Sequence, residues 1–225
     1  EVSGSVLWYL GAAFNSSAYP TSFTFNDGFT LKTAKFVGRE NKEYPNRTYC
    51  NVSFNGGVWE QPLADATFSD FCAADTVEAK DGGFNVCLTN DAAKSYSLAI
   101  IAAIEGEGGL TFFGPGFAKF GADFANSTFK GALVMKDGAV VRAQDDTFQN
   151  LSVTVAPNGA LRVVKDARAS IKTLTLGAVG ATAPACIQMA TNSAIKVTGD
   201  LKVLSPVVFK YASSDLPNAT LSGTT

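Results

Sequence analysis

At 225 residues the chain is long enough to bury one sizeable core, and its 46% apolar and 17% charged residues exclude a disordered polymer. Eighteen Lys and Arg against 20 Asp and Glu leave a formal charge of −2 with no basic run, which argues against nucleic acid as a partner. The longest apolar stretches, Val6 to Phe14 and Leu98 to Ile104, fall short of the roughly 20 residues that cross a bilayer, so no membrane-spanning segment is expected.

The chain opens at Glu1 rather than Met, which is read as a removed signal peptide, and a C-terminal anchor beyond Thr225 could be missing in the same way. Residues 22–38, SFTFNDGFTLKTAKFVG, predict paired strands about Asn26-Asp27-Gly28, and NVSFNGGVW carries a second turn signal. In NDAAKSYSLAIIAAIEG, residues 90–106, Asn90 or Asp91 can cap a short helix that ends at Gly106, with Leu98, Ile101 and Ala102 on one face; a buried strand over SLAIIAAI is the alternative. From residue 108 the text becomes a series of short runs, LTFF, TFKGALVM, AVVRA, LSVTV, ALRVV, IKTLTL, CIQM, AIKVTGDLKVL and VVFKY, punctuated by Gly, Pro, Asn and Asp. Leu151, Val153 and Val155 alternate with Ser152 and Thr154, so each strand has a buried and an exposed face.

A phrase recurs along these runs: Phe129-x-x-Ala132-x-Val134, Phe148-x-x-Leu151-x-Val153, Ile171-x-x-Leu174-x-Leu176. AVVRA at 139 and ALRVV at 160 share a 21-residue offset. Recurrence every 19 to 25 residues, with variation confined to turns, is what stacked coils produce. The turn Ala156-Pro157-Asn158-Gly159 also suits an antiparallel hairpin, which keeps a β-sandwich or jelly roll as the alternative. The reading is one all-β domain over 1–225, a parallel β-helix with a less regular part at 1–107 and repeating coils at 108–225. Residues 147–214 resemble right-handed parallel β-helix proteins, such as autotransporter passengers and the pectin-lyase-like group. The resemblance implies a stacked, elongated β-helix and brings no activity with it.

Four cysteines, Cys50, Cys72, Cys87 and Cys186, lack any Cys-x-x-Cys unit and fit an oxidising compartment, with two disulfides as the simple expectation. Stacked coils oppose one of them. At about 4.8 Å per coil, Cys87 and Cys186 stand on the order of 20 Å apart, beyond the roughly 7 Å Cα limit of a disulfide, so a strict solenoid predicts that Cys186 is free or pairs between chains. Six Asn-x-Ser/Thr sequons, at Asn15, Asn46, Asn51, Asn126, Asn150 and Asn218, stand against roughly two expected by chance from 13 Asn and 37 Ser and Thr. The excess predicts a glycoprotein of the secretory route, extracellular or at the cell surface.

The chain has no histidine, which removes Ser-His and Cys-His nucleophilic devices and every His-containing zinc site. No cofactor, metal site or catalytic residue is expected. Asp145-Asp146 resembles the acidic pair of β-helical polygalacturonases, yet the Gly-His-Gly segment of those enzymes is absent, and a solvated turn explains the pair. Glu105 and Glu107 read as loop residues. Arg142 and Arg162, 20 residues apart, are expected to stack on an exposed face as surface ladder residues. Paired phenylalanines are expected in core ladders, and Trp8 and Trp59 in packing more than in sugar stacking.

The function these features favour is a secreted or cell-surface glycoprotein with a structural or adhesive role. A variant is a subunit of an extracellular filament or coat, its partners being other copies of itself, surface or matrix components, and glycans. The alternatives are a carboxylate-based polysaccharide-active enzyme and a non-catalytic carbohydrate-binding module.

Overall fold

The computed structural model describes residues 2–3, 8–9, 21–32, 36–37, 50–60, 70–71, 76–89, 98–100, 103–120, 128–212 and 221–224. Its first coil supplies Val2–Ser3 (β1) and Trp8–Tyr9 (β2). Four three-strand coils follow. They are Thr21–Asn26, Thr30–Lys32 and Phe36–Val37 (β3–β5); Cys50–Asn55, Val58–Glu60 and Asp70–Phe71 (β6–β8); Thr76–Ala79, Phe84–Cys87 and Leu98–Ile100 (β9–β11); Ala103–Glu105, Leu110–Phe113 and Phe117–Phe120 (β12–β14). Next come Ala132–Met135 and Val140–Ala143 (β15, β16), then a 3-10 turn at Asp145–Phe148 leading to Ser152–Val155 and Ala160–Val163 (β17, β18). The last coils are Arg168–Ile171, Thr173–Leu176 and Ala185–Met189 (β19–β21), and Ala194–Val197, Leu201–Val203 and Val207–Ala212 (β22–β24), with Leu221–Thr224 (β25) closing the series.

Strands recurring once per coil assemble into long sheets. Sheet A has nine, ordered β1-β4-β7-β10-β13-β15-β17-β20-β23, and sheet B has ten, ordered β2-β5-β8-β11-β14-β16-β18-β21-β24-β25. The third side holds β3, β6, β9 and β12 in one sheet and β19 and β22 in another. Strand pairing is parallel throughout the described residues except where β25 lies antiparallel on β24. The chain is an all-β parallel β-helix, and the sandwich alternative is set aside by that pairing.

Stacking in register turns the alternation of each strand into continuous columns inside the coil. One column runs Leu31, Trp59, Val86, Phe112, Met135, Val155, Leu176, Val203. A second runs Phe84, Leu110, Leu133, Val153, Leu174, Leu201. Sheet B adds Ala118, Val141, Leu161, Ile187 and Phe209 from the opposite wall. Aromatic contacts link strands within and between coils: the Phe54 ring lies 4.9 Å from Phe25 and 4.1 Å from Phe84 in the flanking coils, and Phe120 meets Phe112 of its own coil and Phe148 of the next edge-on. Of the paired phenylalanines expected in the core, Phe25 and Phe112 are buried there and Phe23 and Phe120 pack against it, whereas Phe113 is half-exposed on the outward face of β13 and Phe117 lies under the Arg162 guanidinium; Trp59 belongs to the core, fully buried.

Three local expectations change. The Asn26-Asp27-Gly28 turn joins β3 on the third side to β4 in sheet A, so the two strands do not pair with each other; the Asn55-Gly56-Gly57 turn does the same for β6 and β7. The Pro157-Asn158-Gly159 turn likewise joins sheet A to sheet B. Each is a corner, in which a left-handed residue redirects the chain: Gly28 at φ 80°, Gly56 at 90°, Asn158 at 61°. The helix considered for 90–106 gives way to β11 and β12, because Leu98–Ile100 and Ala103–Glu105 find ready parallel neighbours in β14, β8 and β9; the stretch 90–97 lies outside the described residues. The phrase alignment also slips. Val153 pairs with Leu133 rather than Val134, and with Leu174 rather than Leu176.

The coil length varies more than the phrase implied. It falls from 28 residues (Leu31 to Trp59) to 20 (Met135 to Val155), then widens to 27 (Leu176 to Val203). In the last of these, part of the extra length sits in the corner at 177–184 between β20 and β21, where it does not disturb the columns.

Candidate functional site

With the interior filled by apolar columns, the chemistry falls to the outer faces. On sheet A one outward column reads Thr111, Val134, Thr154, Thr175, with Ser152 and Thr173 paired beside it. This face is uncharged over four coils and carries hydroxyls at nearly regular strand spacing. At the earlier end, Lys32 and Glu60 occupy paired positions and form an ion pair.

Sheet B carries the strongest charge pattern. Arg142, Arg162, Gln188 and Lys210 stand in one column on successive strands. The arginines therefore stack as expected, but not on an exposed face: Arg162 is only 1% exposed, with its guanidinium 5.7 Å from the Phe117 ring centroid. A cation over an aromatic face is favourable when desolvated. The small neighbour Ala160, itself buried, fits the close cover of this strand, whose four residues are all buried. Arg142 is half-buried; its Nη2 donates to Gln144 Oε1 at 3.2 Å, while its buried Nε has no hydrogen-bond partner among the described residues.

The candidate carboxylates lie in exposed turns and on an exposed strand end. Asp145 and Asp146 form the exposed start of the 3-10 turn, where Asp145 adopts φ 44° and its Oδ1 accepts from the Arg168 backbone N–H at 3.5 Å. That is turn chemistry, as the sequence predicted. Glu105 is exposed on β12, and Glu107 faces Lys130 at 3.8 Å across open solvent, a pair of little energetic weight. Among the described residues no group of three or more His, Cys, Asp or Glu is placed to hold a metal ion.

Cys87 and Cys186 are free thiols on different sheets. Burial pushes both pKa values up; Glu60 adds to the effect at Cys87, and Lys210 and a hydrogen bond from Gln188 oppose it at Cys186. A raised thiol pKa leaves little thiolate at neutral pH, so neither is an activated nucleophile. Cys50 lies at the start of β6, and Cys72 falls outside the described residues.

Of the sequons, Asn150 stands exposed in the turn before β17, with Leu151 anchored in the core and Ser152 exposed. Asn51 is on β6 beside Ser22, and its sequon partner Ser53 is buried and hydrogen-bonded to Thr24 Oγ1 at 2.8 Å. Asn15, Asn46, Asn126 and Asn218 lie outside the described residues. Sequence reasoning missed the Thr24–Ser53 and Asn26–Asn55 side-chain ladders on the third side, because their 29-residue offset exceeds the period seen farther along the chain. Among the described residues no helix is long and apolar enough to cross a membrane. Comparison with protein-family models, curated proteins and solved structures found no match to this chain.

Proposed function

We propose that this chain is a secreted or cell-surface glycoprotein with a structural or adhesive role. The observation that carries the reading is the pair of inward columns that run coil after coil, filled with apolar side chains from Leu31 to Leu176. Such an interior makes each coil a support for the next and leaves extended, regular outer faces. The neutral Ser/Thr face of sheet A is the adhesive surface in this reading, and Asn150 is a glycan position. The lack of histidine, and the engagement of Asp145 in a turn contact with the Arg168 backbone, weigh against carboxylate catalysis. Trp59 in the core weighs against an aromatic sugar platform there.

Protein expressed through a eukaryotic secretory route and offered a panel of neutral glycans and polyuronides is expected to show no turnover. Its mass is expected to drop by one glycan in Asn150→Gln. Turnover that disappears in Asp145→Asn or Asp146→Asn would make the protein an enzyme, and an unglycosylated secreted product would remove the glycoprotein half of the proposal.

A further inference from the structure

Five corners carry Asp-Gly or Asn-Gly: Asp27-Gly28, Asn55-Gly56, Asp81-Gly82, Asp137-Gly138 and Asn158-Gly159. In any such pair the glycine nitrogen can attack the side-chain carbonyl carbon of the residue before it, provided that the nitrogen is close and not committed elsewhere. The fold treats the three Asp-Gly pairs differently, although all three aspartates are exposed. Gly82 donates its N–H to Asn55 Oδ1 of the preceding coil at 2.9 Å, and Gly138 donates to the Asn158 carbonyl of the following coil at 3.0 Å. The asparagine corners are committed in the same way, Gly56 N–H to the Gly83 carbonyl at 2.7 Å and Gly159 N–H to the Ala156 carbonyl at 2.9 Å. At Asp27-Gly28 the glycine N–H turns instead to its own neighbour, 2.9 Å from Asp27 Oδ1. Because Oδ1 is bonded to Cγ, this contact holds the nitrogen beside the carbon it must attack, as a near-attack geometry requires. Open space surrounds the pair. No atom lies within 4 Å of where a Gly28 Cβ would stand, whereas the same position at Gly82 meets the Asn55 carbonyl carbon at 2.7 Å and at Gly138 meets Pro115 Cα at 3.2 Å.

We infer that Asp27 is a site of spontaneous isoaspartate formation, singled out by the fold from three pairs of the same local chemistry. The Gly28 nitrogen gives its proton to water and bonds to Asp27 Cγ, while the Cγ–OH bond of the protonated carboxyl breaks and leaves as water. The product is a five-membered succinimide. A second water then adds to one of its two carbonyl carbons. Opening at Cγ restores aspartate, and opening at the Asp27 main-chain carbonyl breaks its bond to Gly28 and leaves isoaspartate. Nothing is oxidised or reduced, and water is the only co-reactant. In the other two Asp-Gly corners the nitrogen must first leave a hydrogen bond to a neighbouring coil and then move without the free space found at Gly28, which slows the same step. The product routes the main chain through Asp27 Cβ and Cγ, one atom longer than before. That extra atom falls in a corner bonded to the next coil on both flanks, by Gly57 N–H to the Phe25 carbonyl at 3.2 Å and Val58 N–H to the Phe29 carbonyl at 2.9 Å. The inference goes beyond the role proposed above and does not depend on it.

Ageing the 225-residue chain in neutral buffer, folded and in parallel unfolded in guanidinium chloride, tests this, with isoaspartate at each site measured by peptide mapping and fragmentation. In the folded chain isoaspartate is expected to accumulate at Asp27 at least about tenfold faster than at Asp81 or Asp137, a smaller factor than the roughly hundredfold that misplacing a reacting atom can cost. In the unfolded chain the three rates are expected to come together. Rates at Asp81 or Asp137 within about tenfold of that at Asp27 in the folded chain would overturn the inference. So would an absence of isoaspartate at Asp27 over a period that converts the unfolded chain. A preference for Asp27 that persists in denaturant would overturn it as well, because the selection would then lie in the local sequence and not in the fold.

Discussion

Phe112→Ala is expected to lower the stability of the chain by about 3–5 kcal/mol, the range for truncating a fully buried phenylalanine. Phe112 sits mid-column between Val86 and Met135 and meets Phe120 edge-on, with ring centroids 5.8 Å apart. Removing its ring opens a cavity between three coils at once, and flanking strands held in register on both sides have little freedom to collapse into it. For a chain of this size a loss of that magnitude lowers the melting temperature by roughly 6–20 °C. Its neighbour Thr111 supplies the control: it points outward on the same strand, so Thr111→Ala is expected to cost less than about 1 kcal/mol. Thermal denaturation of the two variants side by side checks both, and equal effects would mean that the assigned faces of β13 are wrong.

The second large effect is expected at a glycine. Gly108 and Gly109 adjoin in the corner between the third side and sheet A, but their surroundings differ. A Cβ on Gly108 would run into the Lys80 carbonyl of the preceding coil, while one on Gly109 would meet only the Ala132 carbonyl oxygen at 3.6 Å, an ordinary contact. Gly108 also donates its N–H to the Ala79 oxygen at 3.1 Å, so backing away from the clash breaks a bond between coils. Gly108→Ala is expected to destabilise by about 3 kcal/mol, and Gly109→Ala by less than about 0.5 kcal/mol. Chemical denaturation midpoints measure the difference. A Gly108→Ala variant as stable as Gly109→Ala would show that adjacent coils do not approach this closely.

How far the fold was legible depends on which periodicity is asked about. Strands from LTFF onward were readable because period-2 alternation survives in SVTV and TLTL, where buried Val153, Val155, Leu174 and Leu176 stand against polar neighbours. Register was harder. Pairing Val153 with Leu176 instead of Leu174 is a slip of two, which alternation cannot reveal because it keeps the same face inward. Pairing Val153 with Val134 instead of Leu133 is a slip of one and should have been visible, since it matches a buried residue with a half-exposed one. Apolar residues on both faces of ALVM, Ala132 and Val134 outward and Leu133 and Met135 inward, hid it.

The N-terminal coils were harder still. Their turn signals, Asn-Asp-Gly and Asn-Gly-Gly, serve hairpins and coil corners equally, and their longer offsets dilute the repeat. SLAIIAAI is apolar without alternation, so helix and strand remained equivalent until neighbouring coils supplied hydrogen-bond partners. At the outer faces, the stacking of Arg142 on Arg162 followed from their spacing of 20 residues. The burial of Arg162 did not, because it depends on the Phe117 ring, 45 positions earlier in the chain.

In-register parallel stacking is the central claim, and the cysteines test it most directly. In sheet A the order β10-β13-β15-β17-β20 puts four steps between the strand of Cys87 and the coil that carries Cys186 on β21, and β7, in the coil of Cys50, is one step farther away. At about 4.8 Å per step, both separations are on the order of 20 Å, well beyond disulfide reach. Peptide mapping by mass spectrometry under non-reducing conditions, on monomeric protein, is predicted to find Cys186 linked to neither Cys50 nor Cys87. An intrachain Cys87–Cys186 or Cys50–Cys186 bridge would contradict the stacked-coil architecture.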